Sequence, residues 1–102
     1  ALTDPGTGVA IPVTRSATVN ITTAGAETNT LAIPSFLGQK LILTMDTRVG
    51  GDRVVTAAQR INQAGNTIAT MTEVGDFLKV EAITIAGALK WQVVANDGAV
   101  LS

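Results

Sequence analysis

The chain has 102 residues, a length typical of one domain that buries a modest core. Hydrophobic residues make up 46% and charged residues 15%, with a net charge of −1, so the chain is too apolar to be disordered and has no basic cluster of the kind that binds nucleic acid. Cysteine and histidine are both absent, which excludes disulfides, thiolate nucleophiles, Ser-His-Asp triads and zinc sites with Cys or His ligands.

The composition also favours contact with another chain. Aromatic residues make up only 3%, so the core has to consist mainly of small aliphatic side chains that each bury little area. A thin core beneath a surface with few charges predicts that some apolar surface is buried in an oligomer. The first residues lack the blocks of a signal peptide and no apolar stretch is long enough to span a bilayer, so we expect synthesis in the cytoplasm.

The chain begins with residues 1–12, which we predict to form an extended N-terminal arm in front of a single β domain at residues 13–102. Pro5-Gly6, Gly8 and Pro12 disfavour regular strand pairing in this arm. Either disorder or attachment to a partner would fit such a segment, and the sequence leaves both open.

Residues 13–23 alternate between apolar side chains and Thr or Asn, which predicts a strand with one buried face. Six further stretches are predicted strands, at residues 28–33, 40–46, 53–57, 67–72, 77–85 and 89–96. Turns are predicted at Gly50-Gly51 and, as a tight hairpin, at Ala86-Gly87-Ala88. Residues 57–66 are predicted to form a loop or a single helical turn, and residues 99–102 a short apolar tail. This pattern predicts an all-β fold, a small antiparallel β-sandwich or barrel.

One phrase occurs twice in the chain, at a constant offset of 37 residues. Each copy, at residues 30–43 and 67–80, has the pattern strand, turn at glycine, strand. Two copies are too few for a solenoid, which needs about three units. We therefore predict two similar hairpin-like units within one domain. The residues that the copies share are expected to be framework, and they include Thr30 and Thr67, Gly38 and Gly75, and Leu41 and Leu78.

Catalytic chemistry has few candidates in this chain. Nearly all the carboxylates lie at predicted turns or strand ends, where Asp commonly bonds the local backbone. Asp46 and Asp52 flank the Gly50-Gly51 turn, but their spacing matches no EF-hand loop and they are interpreted as turn residues. Trp91 could be a ligand platform or an interface anchor, although its period-two apolar neighbours favour a core position. We predict that the protein is not an enzyme, and assign no catalytic, cofactor-binding or metal-binding residue.

Threonine is abundant in and beside the predicted strands, where its branched side chain fits the pleat and keeps an exposed face polar without charge. Any functional surface is expected in the segments that the two copies do not share. These segments are residues 1–12, the Gly50-Gly51 loop, residues 57–66 and the C-terminal tail.

Four stretches, at residues 31–40, 66–68, 75–83 and 91–98, contain between them glycine turns, an alternating strand and one Trp-x-Val-Val motif. Together they resemble small structural proteins encoded in the head and tail gene clusters of tailed bacteriophages. Proteins of this group are often described as head decoration (cement) proteins or as modules of head and tail fibres. The resemblance covers residues 28–98.

This resemblance implies a non-enzymatic virion protein that sits on the outside of the capsid and joins neighbouring capsomers. Its implied partner is the major capsid protein, and its implied state is a homo-oligomer, a trimer more than a dimer, with no nucleic acid, membrane or cofactor involved. A subunit that binds only the expanded shell stabilises that state by mass action. The alternative is a head- or tail-fibre module that binds a host-surface receptor or glycan.

Overall fold

A computed structural model describes residues 4–102, so residues 1–3 of the predicted arm lie outside the described part. Within it the chain forms nine strands and no helix. They are β1 (Val9–Ala10), β2 (Ala17–Thr23), β3 (Glu27–Leu31), β4 (Lys40–Arg48), β5 (Arg53–Ala57), β6 (Ile68–Met71), β7 (Phe77–Ile85), β8 (Ala88–Asp97) and β9 (Val100–Leu101). A five-stranded sheet has the order β1-β3-β5-β6-β9 and a four-stranded sheet the order β2-β4-β7-β8. The sheets pack together, which confirms the all-β prediction in the form of a sandwich and not a closed barrel.

Both sheets are mixed instead of purely antiparallel. β1 pairs with β3, β2 with β4, and β3 with β5 in parallel, whereas β4–β7, β5–β6, β6–β9 and β7–β8 are antiparallel. Parallel neighbours cannot be joined by a tight turn and need a crossover. Here the crossover runs through the opposite sheet, because the chain alternates between the sheets from β1 to β5.

The strand bounds follow the sequence pattern closely. β5 and β7 have the predicted bounds, and β3, β4, β6 and β8 differ from prediction by at most two residues at either end. β2 ends as predicted but begins at Ala17 instead of residue 13. Ala86 and Gly87 have φ values of 52° and 81°, and they form the predicted tight hairpin between β7 and β8. Residues 58–66 form a loop without a helical turn, and the C-terminal tail contains the short strand β9.

The doubled phrase does not form two hairpin-like units, and that prediction is wrong. Each copy crosses between the sheets, since β3 and β6 lie in the five-stranded sheet while β4 and β7 lie in the four-stranded sheet. The turn at glycine carries the chain across the core instead of back along the same sheet. β4 and β7 then pair antiparallel with Ile42 opposite Lys79, its own equivalent in the other copy. This register places a local two-fold axis between the copies.

The turns of the two copies make equivalent backbone contacts. The Gly38 amide donates to the carbonyl of Ala82 at 3.0 Å, and the Gly75 amide donates to the carbonyl of Met45, the equivalent of Ala82, at 2.9 Å. Gly38 and Gly75 have φ values of 84° and 94°, a conformation that glycine adopts without a steric cost. The shared glycines are therefore framework, as predicted.

A buried side chain closes each of these turns. Oε1 of Gln39 accepts a hydrogen bond from the Ser35 amide at 2.7 Å, and Oδ2 of Asp76 accepts one from the Thr72 amide at 2.8 Å. Gln39 and Asp76 are equivalent in the repeat and both are buried. The side-chain amide of Gln39 in one copy and the carboxylate of Asp76 in the other thus accept hydrogen bonds from equivalent backbone amides.

The core lies between the sheets and is mainly aliphatic. Leu41 and Leu78, which the two copies share, are 0% and 2% exposed. Trp91 is also only 2% exposed, and its Nε1 donates to the carbonyl of Ala32 at 2.8 Å, which confirms the predicted core position.

Residues 4–12 of the predicted arm lie against the sandwich. The Gly8 amide donates to the carbonyl of Thr28 at 2.7 Å, and the Ile11 amide donates to the carbonyl of Thr30 at 2.9 Å. The Ile11 side chain is buried in the core. The described part of the arm thus contributes an edge strand and a core residue, and the division at residue 12 stays a prediction.

Candidate functional site

Within the described residues, the outer face of the five-stranded sheet carries no charged side chain. Two rows of cross-strand neighbours cover it, namely Thr28–Val54–Thr70–Val100 and Ala10–Thr30–Thr56–Ile68. These eight residues, here named the threonine face, are exposed or partly exposed, while Asn29, Val55 and Ala69 between them are buried. The face is therefore uncharged, as the threonine-rich strands suggested, but half of its eight side chains are apolar.

Strand alternation explains the absence of charge on this face. The five strands contain only two charged residues, Glu27 and Arg53, and both share the inward parity of Asn29 and Val55. Successive side chains of a strand point to opposite faces, so the charges lie on the side away from the threonine face. A shallow depression of about 350 Å³ adjoins the face beside Thr30 and Thr56.

The outer face of the four-stranded sheet has a different character. Lys40 of β4 lies opposite Glu81 of β7, and Lys79 lies opposite Ile42. Charged residues of both signs are thus interspersed along the centre of this sheet. Such a surface is typical of one that stays in contact with water.

Arg53 connects the N-terminal segment to β2 and β3 from inside the sandwich. Its Nη1 and Nη2 donate to the two carboxylate oxygens of Asp4 at 2.9 and 2.8 Å, and Nη2 also donates to Glu27 at 2.7 Å. Further acceptors are Oδ1 of Asn29 at 2.5 Å and the carbonyl of Thr22 at 3.1 Å. This two-pronged contact with Asp4 is the strong geometry of arginine and carboxylate. The group is here named the arginine clasp.

The clasp changes the acidity of Asp4. Burial alone would raise the pKa of Asp4, but hydrogen bonds from Arg53, Gly6 and Thr22 and the positive charge of Arg53 outweigh it and lower the pKa below its ordinary value of 3.8. The folded state therefore stabilises the ionised form of Asp4.

A second arginine, Arg60, lines an open cleft of about 520 Å³ together with Gln63, Ile85 and Gln92. Its Nη2 donates to Oε1 of Gln92 at 2.6 Å, which brings the 57–66 loop against β8. Its Nε is buried and has no hydrogen-bond partner in the described part of the chain. Arg60 also forms no salt bridge with any residue from 4 to 102. These four residues are here named the Arg60 cleft.

The side chains of the turn acids that the sequence indicated make local contacts only. Asp52 pairs with Arg48 at 3.3 Å, and Asp46 accepts a hydrogen bond from the Thr47 hydroxyl at 3.1 Å. Gly51 has a φ of 76°, and a Cβ there would lie 2.2 Å from backbone atoms of the neighbouring loop, so this position serves packing. No cluster of three or more potential metal ligands occurs among residues 4–102. The same residues include no helix that could cross a membrane.

Sequence reasoning missed the arginine clasp and the Arg60 cleft. It also placed functional surface outside the two copies, whereas Thr30, Ile68 and Thr70 of the copies lie on the threonine face. A signal for the clasp was present, because Arg53 shares the parity of the buried Val55 and Ala57 and a charge on a core-facing position needs a partner. No signal pointed to Asp4, which is 49 residues away in the chain. The 57–66 segment was expected to hold functional surface, but the sequence did not single out Arg60.

The geometry defines an all-β sandwich with one uncharged outer face and one open arginine cleft. No protein-family model matches the chain, and no curated protein shows significant similarity to it. These two surfaces are the features of the described residues that bear on function.

Proposed function

We propose that the protein is a capsid decoration protein of a tailed bacteriophage, which binds the outside of the shell and stabilises it across neighbouring capsomers. The threonine face is the observation that carries the proposal. The proposed partner is the major capsid protein, the proposed assembly is a trimer on the virion surface, and no catalysis is involved.

The chemistry of the threonine face suits contact with another protein. The cores of protein interfaces are depleted in charged residues, because an ion that loses its water without gaining a partner costs several kcal/mol. Thr28, Thr30, Thr56 and Thr70 offer hydroxyl groups that can donate and accept hydrogen bonds, and Val54, Val100 and Ile68 offer apolar contact.

The size of the face suits an assembly with many copies. With strands about 4.8 Å apart, five strands make a face roughly 20 Å wide. Such a face supplies only part of the roughly 800 Å² per partner that a standard interface buries. We expect a single copy to bind weakly and an oligomer on a lattice to bind tightly, since linked contacts raise the effective concentration.

A charge placed in the threonine face tests the proposal. Thr56→Lys puts an ammonium group at the centre of the face, and Thr47→Lys puts the same group on an exposed position of β4 as a matched control. Occupancy of purified capsids is measured by quantitative gel electrophoresis after incubation with each variant. We expect a loss of about tenfold or more for Thr56→Lys and none for Thr47→Lys. Equal occupancy by both variants would contradict the role of this face.

Copy number separates the proposal from the alternative of a fibre module. A decoration protein occurs in hundreds of copies on each virion, whereas a fibre module occurs in a handful. The glycan-binding alternative has less support because Trp91, the aromatic platform that the sequence suggested for it, is buried.

A further inference from the structure

We propose that the Arg60 cleft binds the carboxylate of an acidic side chain presented by a protein partner. The inference rests on the proposed function only for the identity of that partner. Two observations support the cleft itself, namely the chemistry of its four lining residues and the contrast between Arg60 and Arg53.

Arg60 is a partly buried cation with unused bonding capacity. Guanidinium groups carry five N–H donors, and burial of an arginine normally brings a carboxylate or several acceptors to it. Within residues 4–102 its side chain bonds only to the neutral amide of Gln92, through Nη2. The Nε is buried and out of a ligand's reach, so the donors left for a ligand are the terminal N–H groups that Gln92 does not use. Arg53, in contrast, holds two carboxylates.

The local charge favours an anion. Lys90, whose ammonium group bonds to Oε1 of Gln59, lies on the same hairpin as the cleft residues Ile85 and Gln92. The one acid nearby in register is Glu81, opposite Gln92, and it also has Lys40 opposite it on the other side. In register, Lys90 and Glu81 thus add one charge of each sign beside the cleft residues, and the charge without a counterpart among the described residues is that of Arg60.

The lining selects among anions. A phosphate site usually gathers several cations or a row of backbone amides, whereas this cleft has one guanidinium, which matches the planar fork of a single carboxylate. The side-chain amides of Gln63 and Gln92 can add hydrogen bonds, and Ile85 contacts the aliphatic part of an acidic side chain. No aromatic residue lines the cleft, which disfavours a carboxylated sugar.

Nuclear magnetic resonance with small probes tests the cleft directly. The full chain, labelled with nitrogen-15, is titrated with capped glutamate, sodium galacturonate and inorganic phosphate. Capped glutamate should shift the Nε–H signal of Arg60 and the side-chain amide signals of Gln63 and Gln92 in a saturable manner. Arg60→Gln should abolish these shifts at the two glutamines, and Arg15→Gln, which removes an exposed arginine, should leave them unchanged.

Three results would overturn the inference. They are the absence of a saturable shift at these signals, equal shifts in the two variants, and tighter saturation by galacturonate or phosphate than by capped glutamate. The capsid assay then tests the partner, where Arg60→Gln should lower affinity about tenfold, as loss of a charge-assisted hydrogen bond does. Probe binding without an effect on capsids would overturn only the capsid as the partner, so the two proposals fail separately.

Discussion

Arg53 and Arg60 each have a buried Nε without a hydrogen-bond partner among the described residues, but they differ in the acceptors around their terminal nitrogens. Arg53 is fully buried and donates to Asp4, Glu27 and Asn29, so its charge is compensated inside the fold. Arg60 borders an open cleft and has only a neutral amide as its partner. The difference teaches that burial alone does not define an arginine's role, since the supply of acceptors decides whether it serves stability or recognition.

The largest effect is expected from Arg53→Met, which keeps the side-chain volume similar and removes the charge. Asp4 and Glu27 would lose their partner in a partly buried environment, and breaking such a pair costs about 3–5 kcal/mol. Urea denaturation measures the change. Arg48→Met, which removes an exposed pair with Asp52, is the matched control and should cost below about 1 kcal/mol. Similar costs for both variants would contradict the clasp.

Asp4→Asn should have an intermediate effect on stability. It keeps the shape of the side chain but removes the charge that Arg53 contacts, and hydrogen bonds to charged groups contribute about 1.5–3 kcal/mol. Faster hydrogen exchange at the Gly8 and Ile11 amides would show that the N-terminal segment has loosened. Asp97→Asn, at an exposed position, provides the control. Unchanged exchange at both amides would contradict the attachment of this segment through the clasp.

Acid should lower the stability that the arginine clasp contributes to the fold. The pKa of Asp4 is lower in the folded state, so its contribution to stability is fully present well above 3.8 and is lost as the pH falls below that value through the folded pKa. Denaturation measured from pH 6 to pH 2 should show this loss in the native chain and a smaller one in Asp4→Asn. Parallel curves for the two proteins would contradict it.

Arg60→Gln should have the smallest effect on stability, below about 1 kcal/mol, because no ion pair is broken. Its effect should appear instead in probe binding at the cleft. If urea denaturation showed a cost as large as that of Arg53→Met, Arg60 would be a structural residue and the contrast between the two arginines would disappear.

The sequence predicted local structure better than it predicted the sites. The alternation in residues 53–57 and 77–85 was strong enough to give both strands their bounds. The many threonines indicated an exposed face without charge, but not which of the two sheets carries it. Pairing could not be predicted, because the glycine turns at residues 38 and 75 fit a hairpin and a crossing between sheets equally well. The clasp and the cleft join residues 49 and 32 positions apart, and alternation carries no information on such distances.

The two-fold arrangement of the repeated units should make their two turns open together. The Gly38 turn of the first unit is bonded to Ala82 of β7, and the Gly75 turn of the second is bonded to Met45 of β4. Each turn is therefore bonded to a strand that continues the other unit, so detaching either unit breaks a backbone hydrogen bond of its counterpart. Regions linked in this way exchange their amide hydrogens together, so amides in both turns should report one common opening event with the free energy of global unfolding.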